Sequence, residues 1–258
     1  MESDFERLLR NKLQDLKLCN KLHFFDEVNS TNDIAKEMII DDFTHGTIIV
    51  ANSQVKGRGT FGRSFFSKKD AGIYMSFIID TREWHFNRPN LATIFAAVAA
   101  SEAIINVTKK TPRIKWMNDI ILDEFKIGGI LTETIFDSRM LVIGIGLNVS
   151  TKKEDFPETL QGIAGSLEID DKANENKVSI IVEIIHKMLF SSKISDFQEC
   201  LNVYRQRSCI LNQIIEVKIG NDIFEGYALD INNYGELVVR KQSGEIVKLN
   251  CGEARIRL

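Results

Sequence analysis

Three stretches of this chain carry side chains suited to holding an anion. Lys56, Arg58, Arg63, Lys68 and Lys69 fall between residues 56 and 69 with no carboxylate among them, interleaved with Gly57, Gly59 and Gly62. Arginine forks match phosphate or carboxylate oxygens in pairs. Glycines let a backbone approach a ligand closely and leave a loop mobile. An anion that must be covered and then released fits this combination, and so does a solvated basic surface loop. Further on, Lys115 in KWMND and Lys126 in KIGGIL stand at strand edges beside small or polar residues, where an ammonium group points into a cleft or into water. Gly128 and Gly129 interrupt an apolar run, the pattern of a strand approached closely by a ligand or another backbone. Gly144 and Gly146 leave room above the next strand, in which Asn148 is the polar side chain.

The glycine spacing G-x-G-x-x-G over residues 57–62 has three common meanings, and its context removes each. A dinucleotide fingerprint needs a helix opening among the glycines, so that its N-terminal amides meet the pyrophosphate. Here RSFFSKKDAG follows, without helical periodicity. A kinase loop wants valine two residues past the last glycine, where Ser64 stands. No Gly-Lys-Ser/Thr closes the loop as a P-loop requires.

The elements that must position these residues divide the chain near residue 210. Residues 4–18 read as an amphipathic helix on Phe5, Leu8, Leu9, Leu13 and Leu16. LHFFDEV reads as a strand, and Ser30, Thr31 and Asn32 as capping candidates ahead of the helical DIAKEMII. TIIVANS and GIYMSFIID flank the basic loop as strands, PNLATIFAAVAASEAIINV reads as a buried helix with Pro89 in its first turn, and RIKW as a short strand. Residues 120–149 form a predicted antiparallel meander, followed by helices at KVSIIVEIIHKMLF and ISDFQECLNVYRQRS. Beyond Leu211 short strands joined by Gly- and Asn-rich turns predict a small all-β barrel. The expected class is therefore α+β, with an N-terminal helix (1–20), a main domain (21–210) and a small β domain (211–258).

Composition narrows the function classes. With 33 Lys plus Arg against 36 Asp plus Glu, the net charge of −3 argues against general attraction to nucleic acid. The charged N-terminus is no secretory segment, and no run is read as a membrane span, so the expected location is the cytoplasm. Cys19, Cys200, Cys209 and Cys251 lie outside metal-binding spacings and are expected as buried free thiols.

Taken in order, STND, SQVKGRGTFGR, KWMND, KIGGIL, IGIGLNV and the terminal GEARIRL resemble the biotin protein ligases over roughly residues 22–258. The resemblance implies a central mixed sheet backed by helices, of the class II synthetase-like biotin/lipoate ligase type, and an SH3-like C-terminal barrel. It implies a two-step reaction: biotin and ATP give biotinyl-5′-AMP with Mg²⁺ present, and the biotinyl group then passes to a lysine of a biotin carboxyl carrier domain. About 20 residues precede the similar region, so the form without a DNA-binding domain is expected, with no DNA binding and no membrane association. A homodimer through the central sheet is a further expectation.

Carried over by motif, Ser30, Thr31 and Asn32 are expected on the ureido ring and Gln54 beside the valeryl chain, with Gly59, Thr60, Gly128 and Gly129 completing the biotin site. Arg58 and Lys126 are expected to bracket the carboxylate and α-phosphate, making them, with Lys115, the candidate catalytic cations. Lys115, Trp116 and Asn118 belong to the triphosphate region, with Asp119 a candidate metal contact. Asn148 is expected at the adenine or ribose, and Arg63 and Phe65 over the nucleotide. Three positions depart from the family pattern: Thr60 replaces an arginine, Met117 a proline, and Phe65 a frequent tryptophan. A lipoate or octanoyl ligase or transferase of the same fold, and a non-catalytic ligand or nucleic-acid binder, are the rival readings.

Overall fold

The computed structural model describes residues 2–41, 44–84, 88–135, 138–169, 173–190 and 194–256. In chain order the helices and strands are α1 (Asp4–Asp15), β1 (Leu22–Val28), α2 (Thr31–Ile40), β2 (Thr47–Gln54), β3 (Gly72–Asp80), α3 (Pro89–Thr108), β4 (Arg113–Lys115), β5 (Asp119–Leu122), β6 (Phe125–Thr134) and β7 (Met140–Asn148). There follow α4 (Ala173–Phe190), α5 (Ile194–Arg207), β8 (Ile214–Ile219), β9 (Asp222–Ile231), β10 (Leu237–Lys241), β11 (Ile246–Leu249) and β12 (Glu253–Ile256).

Strands β1–β7 form one sheet in the order β1-β2-β3-β7-β6-β5-β4. Only β1 and β2 run parallel, and the remaining pairs are antiparallel, which makes the mixed sheet expected from the sequence. The meander β5-β6-β7 stands as predicted. Its first turn is two residues long, Asp123 and Glu124, both at positive φ, the geometry that suits a tight hairpin to strand twist.

Side-chain alternation builds two layers of core. On one face Ile48, Val50, Met75, Phe77, Leu141 and Ile143 pack into the main cluster with α3 and α4, while Ile49, Ile78 and Val142 face Ala35 of α2. Period-two alternation in β2, β3 and β7 thus assigns α3 and α4 to one face and α2 to the other. The α2 face is the thinner one, and the functional residues collect there.

Helix α3 corrects one sequence expectation. Its 20 residues are long and apolar enough to cross a membrane, against the reading that no run approaches that length, yet 72% of the apolar stretch is buried inside the protein, as in a core helix. α1 also stops earlier than the periodicity suggests: it ends at Asp15, because Lys17 takes a left-handed φ of 57° and turns the chain toward β1. Of the cysteines, Cys200 is buried but Cys251 is exposed.

The C-terminal strands make a five-stranded antiparallel sheet, β11-β10-β9-β8-β12. Its apolar side chains join the main core cluster. Specific bonds fix its seat: Trp116 Nε1–H donates to Gly235 O (3.2 Å), Arg205 Nε–H to Ile231 O (2.7 Å) and Asn90 Nδ2–H to Asn250 O (2.9 Å). This docking brings β12 to the edge of the site.

Candidate functional site

A cavity of about 420 Å³ opens on the α2 face of the central sheet, and every site residue expected from the sequence lines it except Gly128. Gly128 points the other way. A Cβ there would lie 2.4 Å from Leu147 Cδ2 and 2.6 Å from Gly146 O, so its small size serves the β6–β7 contact, while a Cβ on its neighbour Gly129 would stand 3.4 Å from Lys126 Cε.

The floor is a chain of hydrogen bonds. Gln54 Oε1 accepts from the Thr31 backbone N–H (2.8 Å), and Gln54 Nε2–H donates to Ser67 Oγ (2.9 Å). Ser76, fully buried on β3, bonds Thr31 Oγ1 at 2.8 Å and Asn32 Oδ1 at 2.7 Å. Asn32 Nδ2–H then donates to Glu133 Oε2 (2.8 Å). Two glycines of β7 make the space for this. A Cβ on Gly144 would sit 2.2 Å from Asn32 Oδ1, and one on Gly146 would sit 2.6 Å from the Phe65 ring. The room above the sheet is thus already filled by Asn32 and by Phe65, which lies edge-on to Tyr74. Thr31 and Asn32 stand inside α2, and Ser30 occupies the cap position but makes no capping bond, so its buried hydroxyl faces the cavity unspent on the helix.

The basic loop lies over this floor as a small hairpin. Phe65 N–H bonds Gly57 O (2.8 Å), Gly59 N–H bonds Arg63 O (2.7 Å), and Arg58 bridges to Ser64 in antiparallel fashion. Gly57 is required at its position, since a Cβ would meet Phe65 O at 2.4 Å. The Arg58 guanidinium lies between two carboxylates, with Nη1 on Asp33 (2.5 Å) and Nη2 on Glu133 (3.1 Å). These partners, the Asp33 hydrogen bond foremost, raise its pKa. Lys36 also binds Glu133 (2.7 Å), so two cations and two anions form a neutral quartet. Arg63 leaves the loop on the other side and reaches Glu253 of β12 (3.3 Å), while Thr60 Oγ1 accepts from its Nη2 (3.3 Å).

The opposite end is cationic. Lys126 Nζ pairs with Asp119 (2.7 Å), and Asn118 Nδ2–H donates to the same carboxylate (3.1 Å). Lys115 lines the cavity and forms no ion pair among the described residues. Asn148 is 4% exposed, and its Oδ1 has no partner although its Nδ2–H is held by Gly165 O at 3.1 Å. A buried amide oxygen without a donor is costly unless a ligand supplies one. Phe156, Leu160 and Ile163 give the cavity an apolar wall. It is tied to the sheet by Lys126 N–H on Ile163 O (2.9 Å) and Gly165 N–H on Lys126 O (2.9 Å).

The sequence reading gave no site role to Asp33, Lys36, Ser76, Glu133 or the wall at 156–164, and included β12 only as part of the GEARIRL motif. For Glu133 a signal existed, because Gly129, Leu131 and Glu133 alternate on one face of β6 and the first two line the cavity.

Comparison with known proteins agrees with this geometry. Residues 24–150 match the biotin/lipoate A/B protein ligase family, and residues 210–257 match the biotin protein ligase C-terminal domain. The bifunctional ligase/repressor BirA of Bacillus spizizenii is 31% identical over 247 residues, covering 93% of this chain and 75% of the relative. This chain belongs to the biotin protein ligase family. The biotin–acetyl-CoA-carboxylase ligase of Mycobacterium tuberculosis is 25% identical over 215 residues, 81% of this chain and 78% of the relative. Among solved structures, the biotin protein ligase from Aquifex aeolicus in complex with biotin and ATP superposes with a TM-score of 0.77 at 27% identity, covering 92% of this chain and 98% of that one.

Proposed function

We infer that this chain is an ATP-dependent ligase that activates biotin as biotinyl-5′-AMP and transfers the biotinyl group to a lysine of a biotin carboxyl carrier domain. The observation that carries the reading is the polarity of this cavity. A hydrogen-bonding floor at Ser30, Thr31, Asn32 and Gln54 suits the N–H and C=O groups of a ureido ring. An apolar wall suits a saturated chain, and Lys126, Lys115 and the unpartnered Asn148 oxygen suit a nucleotide at the far end.

In the first step an oxygen of the biotin carboxylate bonds to the α-phosphorus of ATP and the bond to the β-phosphate oxygen breaks, with pyrophosphate taking the electron pair. Two anions meet, so the barrier is lowered by cations fixed where charge accumulates. We assign that role to Lys126, whose ammonium keeps two N–H donors beyond its single bond to Asp119, with Lys115 on the departing phosphates. The Arg58 guanidinium is committed to Asp33 and Glu133, so we assign Arg58 to holding the loop, in place of the direct contact with the reacting groups expected from the sequence. Asn148 offers its oxygen to the adenine or ribose, and Phe65 and Arg63 cover the nucleotide. In the second step the neutral ε-amine of the acceptor attacks the acyl carbon, AMP leaves, and a proton is lost to solvent. A closed loop keeps water from the mixed anhydride until then.

Among the described residues no three His, Cys, Asp or Glu cluster as a metal cage. Asp119 with Asn118 fits a magnesium ion carried in on the triphosphate, which needs only one or two protein oxygens. When bound, such an ion neutralises phosphate charge. A dimer through the central sheet would use β1, since the β4 edge is taken by Ser208 and Cys209.

The test is transfer itself. Incubation with ATP, biotin and a recombinant carrier domain is expected to add one biotinyl group to a single lysine, read by intact mass. Transfer of lipoate instead, or no transfer with any carrier, refutes the reading.

A further inference from the structure

Glu133 lies on β6 with its side chain 19% exposed, and both of its oxygens are used. Oε2 accepts from Asn32 (2.8 Å), and Oε1 accepts from Arg58 (3.1 Å) and Lys36 (2.7 Å). One carboxylate therefore joins a residue of the cavity floor to the root of the covering loop. The floor side is rigid, because Ser76 holds the other end of the Asn32 amide and thereby fixes which way it faces. The loop side depends on Arg58, whose other anchor, Asp33, is on α2 beside Asn32. We propose that Glu133 is a positioning residue of the ligase reaction: it orients the Asn32 amide toward the ureido ring and, through Arg58, holds the loop shut over the acyl-adenylate.

The proposal rests on the biotin ligase reading and makes two separable claims, one acting through Asn32 and one through Arg58. Glu133→Gln preserves shape and one acceptor but removes the charge that serves three donors. It is expected to weaken biotin binding and to speed loss of biotinyl-AMP from the enzyme, each by about tenfold, the scale of one hydrogen bond to a charged group. Arg58→Ala is expected to speed adenylate loss alone. The decisive comparison is the double variant: it should release adenylate no faster than Arg58→Ala, while its biotin affinity falls as far as in Glu133→Gln.

Biotin affinity is read by calorimetry and adenylate loss by a filter assay on the loaded enzyme, with thermal melts as a folding control. Glu133→Asp keeps the charge but draws the carboxylate back by a methylene, so it tests the same geometry if Glu133→Gln does not fold, and the same two losses are expected. Adenylate loss that multiplies in the double variant, or wild-type values in both glutamate variants, overturns the proposal. A wild-type chain that forms no adenylate from biotin refutes the functional reading itself, and so the two failures are told apart.

Discussion

Gly144→Ala adds one methyl group where the floor has no space for it. The new Cβ would stand 2.2 Å from Asn32 Oδ1. The amide cannot swing aside freely, because Oδ1 is bonded to Ser76 at 2.7 Å and Nδ2 to Glu133 at 2.8 Å. Displacing it sacrifices one neutral hydrogen bond, about 1 kcal/mol, and one to a charged acceptor, about 1.5–3 kcal/mol, so about 2.5–4 kcal/mol in all. These bonds exist without ligand, so the loss appears in the apo protein as a Tm lower by about 5–15 °C. The displaced amide also faces biotin wrongly, and the biotin Kd measured by calorimetry is expected to rise at least about tenfold. Gly146→Ala is the internal control. Its Cβ meets the Phe65 ring, so ATP binding suffers while biotin binding is spared. A Gly144→Ala protein that binds biotin within about twofold of wild type, a difference of only about 0.4 kcal/mol, would refute the placement of Asn32 in the biotin site.

Further outcomes follow from the same geometry. Lys126→Ala removes the ammonium paired with Asp119, and biotin-dependent exchange of pyrophosphate into ATP is expected to fall by about 10²–10³, the range for loss of one preorganised charge donor; near wild-type exchange would remove Lys126 from the chemistry. Thr60→Arg places a cation in the cavity lining, and the half-time of enzyme-bound biotinyl-AMP is expected to lengthen by about tenfold; an unchanged half-time would show that the missing charge at this position does not govern retention. Lys177 is fully buried, bonded to Asp70 O at 2.8 Å, and burial lowers its pKa to about 8 from 10.5. The unfolded chain therefore binds the extra proton between these two values, so stability contributed by this site rises with pH across about 8 to 10.5. The difference in melting temperature between wild type and Lys177→Met should shift in favour of wild type over that window, and a flat difference would contradict it.

Local pattern carried much of this structure. Alternation in β2, β3 and β7 decided which residues face α2, and the glycine and asparagine positions of IGIGLNV marked a strand with something above it. What lies above was not legible, because Asn32 and Phe65 arrive from 112 and 81 residues earlier in the chain and only the fold places them over Gly144 and Gly146. The same separation hid the Arg63–Glu253 contact, which spans 190 residues. Gly128 was misplaced because two adjacent glycines look alike in a sequence, whereas in a strand they face opposite sides. Arg58 was expected to bracket the carboxylate and α-phosphate, and the sequence does not show that Asp33 and Glu133 converge on it.

The central claim is that one cavity joins biotin to ATP. It is tested most directly by incubating the purified chain with ATP, magnesium and radiolabelled pyrophosphate, with biotin, lipoate or no acid added. Label entering ATP with biotin alone is the predicted result. Label entering with lipoate, or none with any acid, would contradict the account.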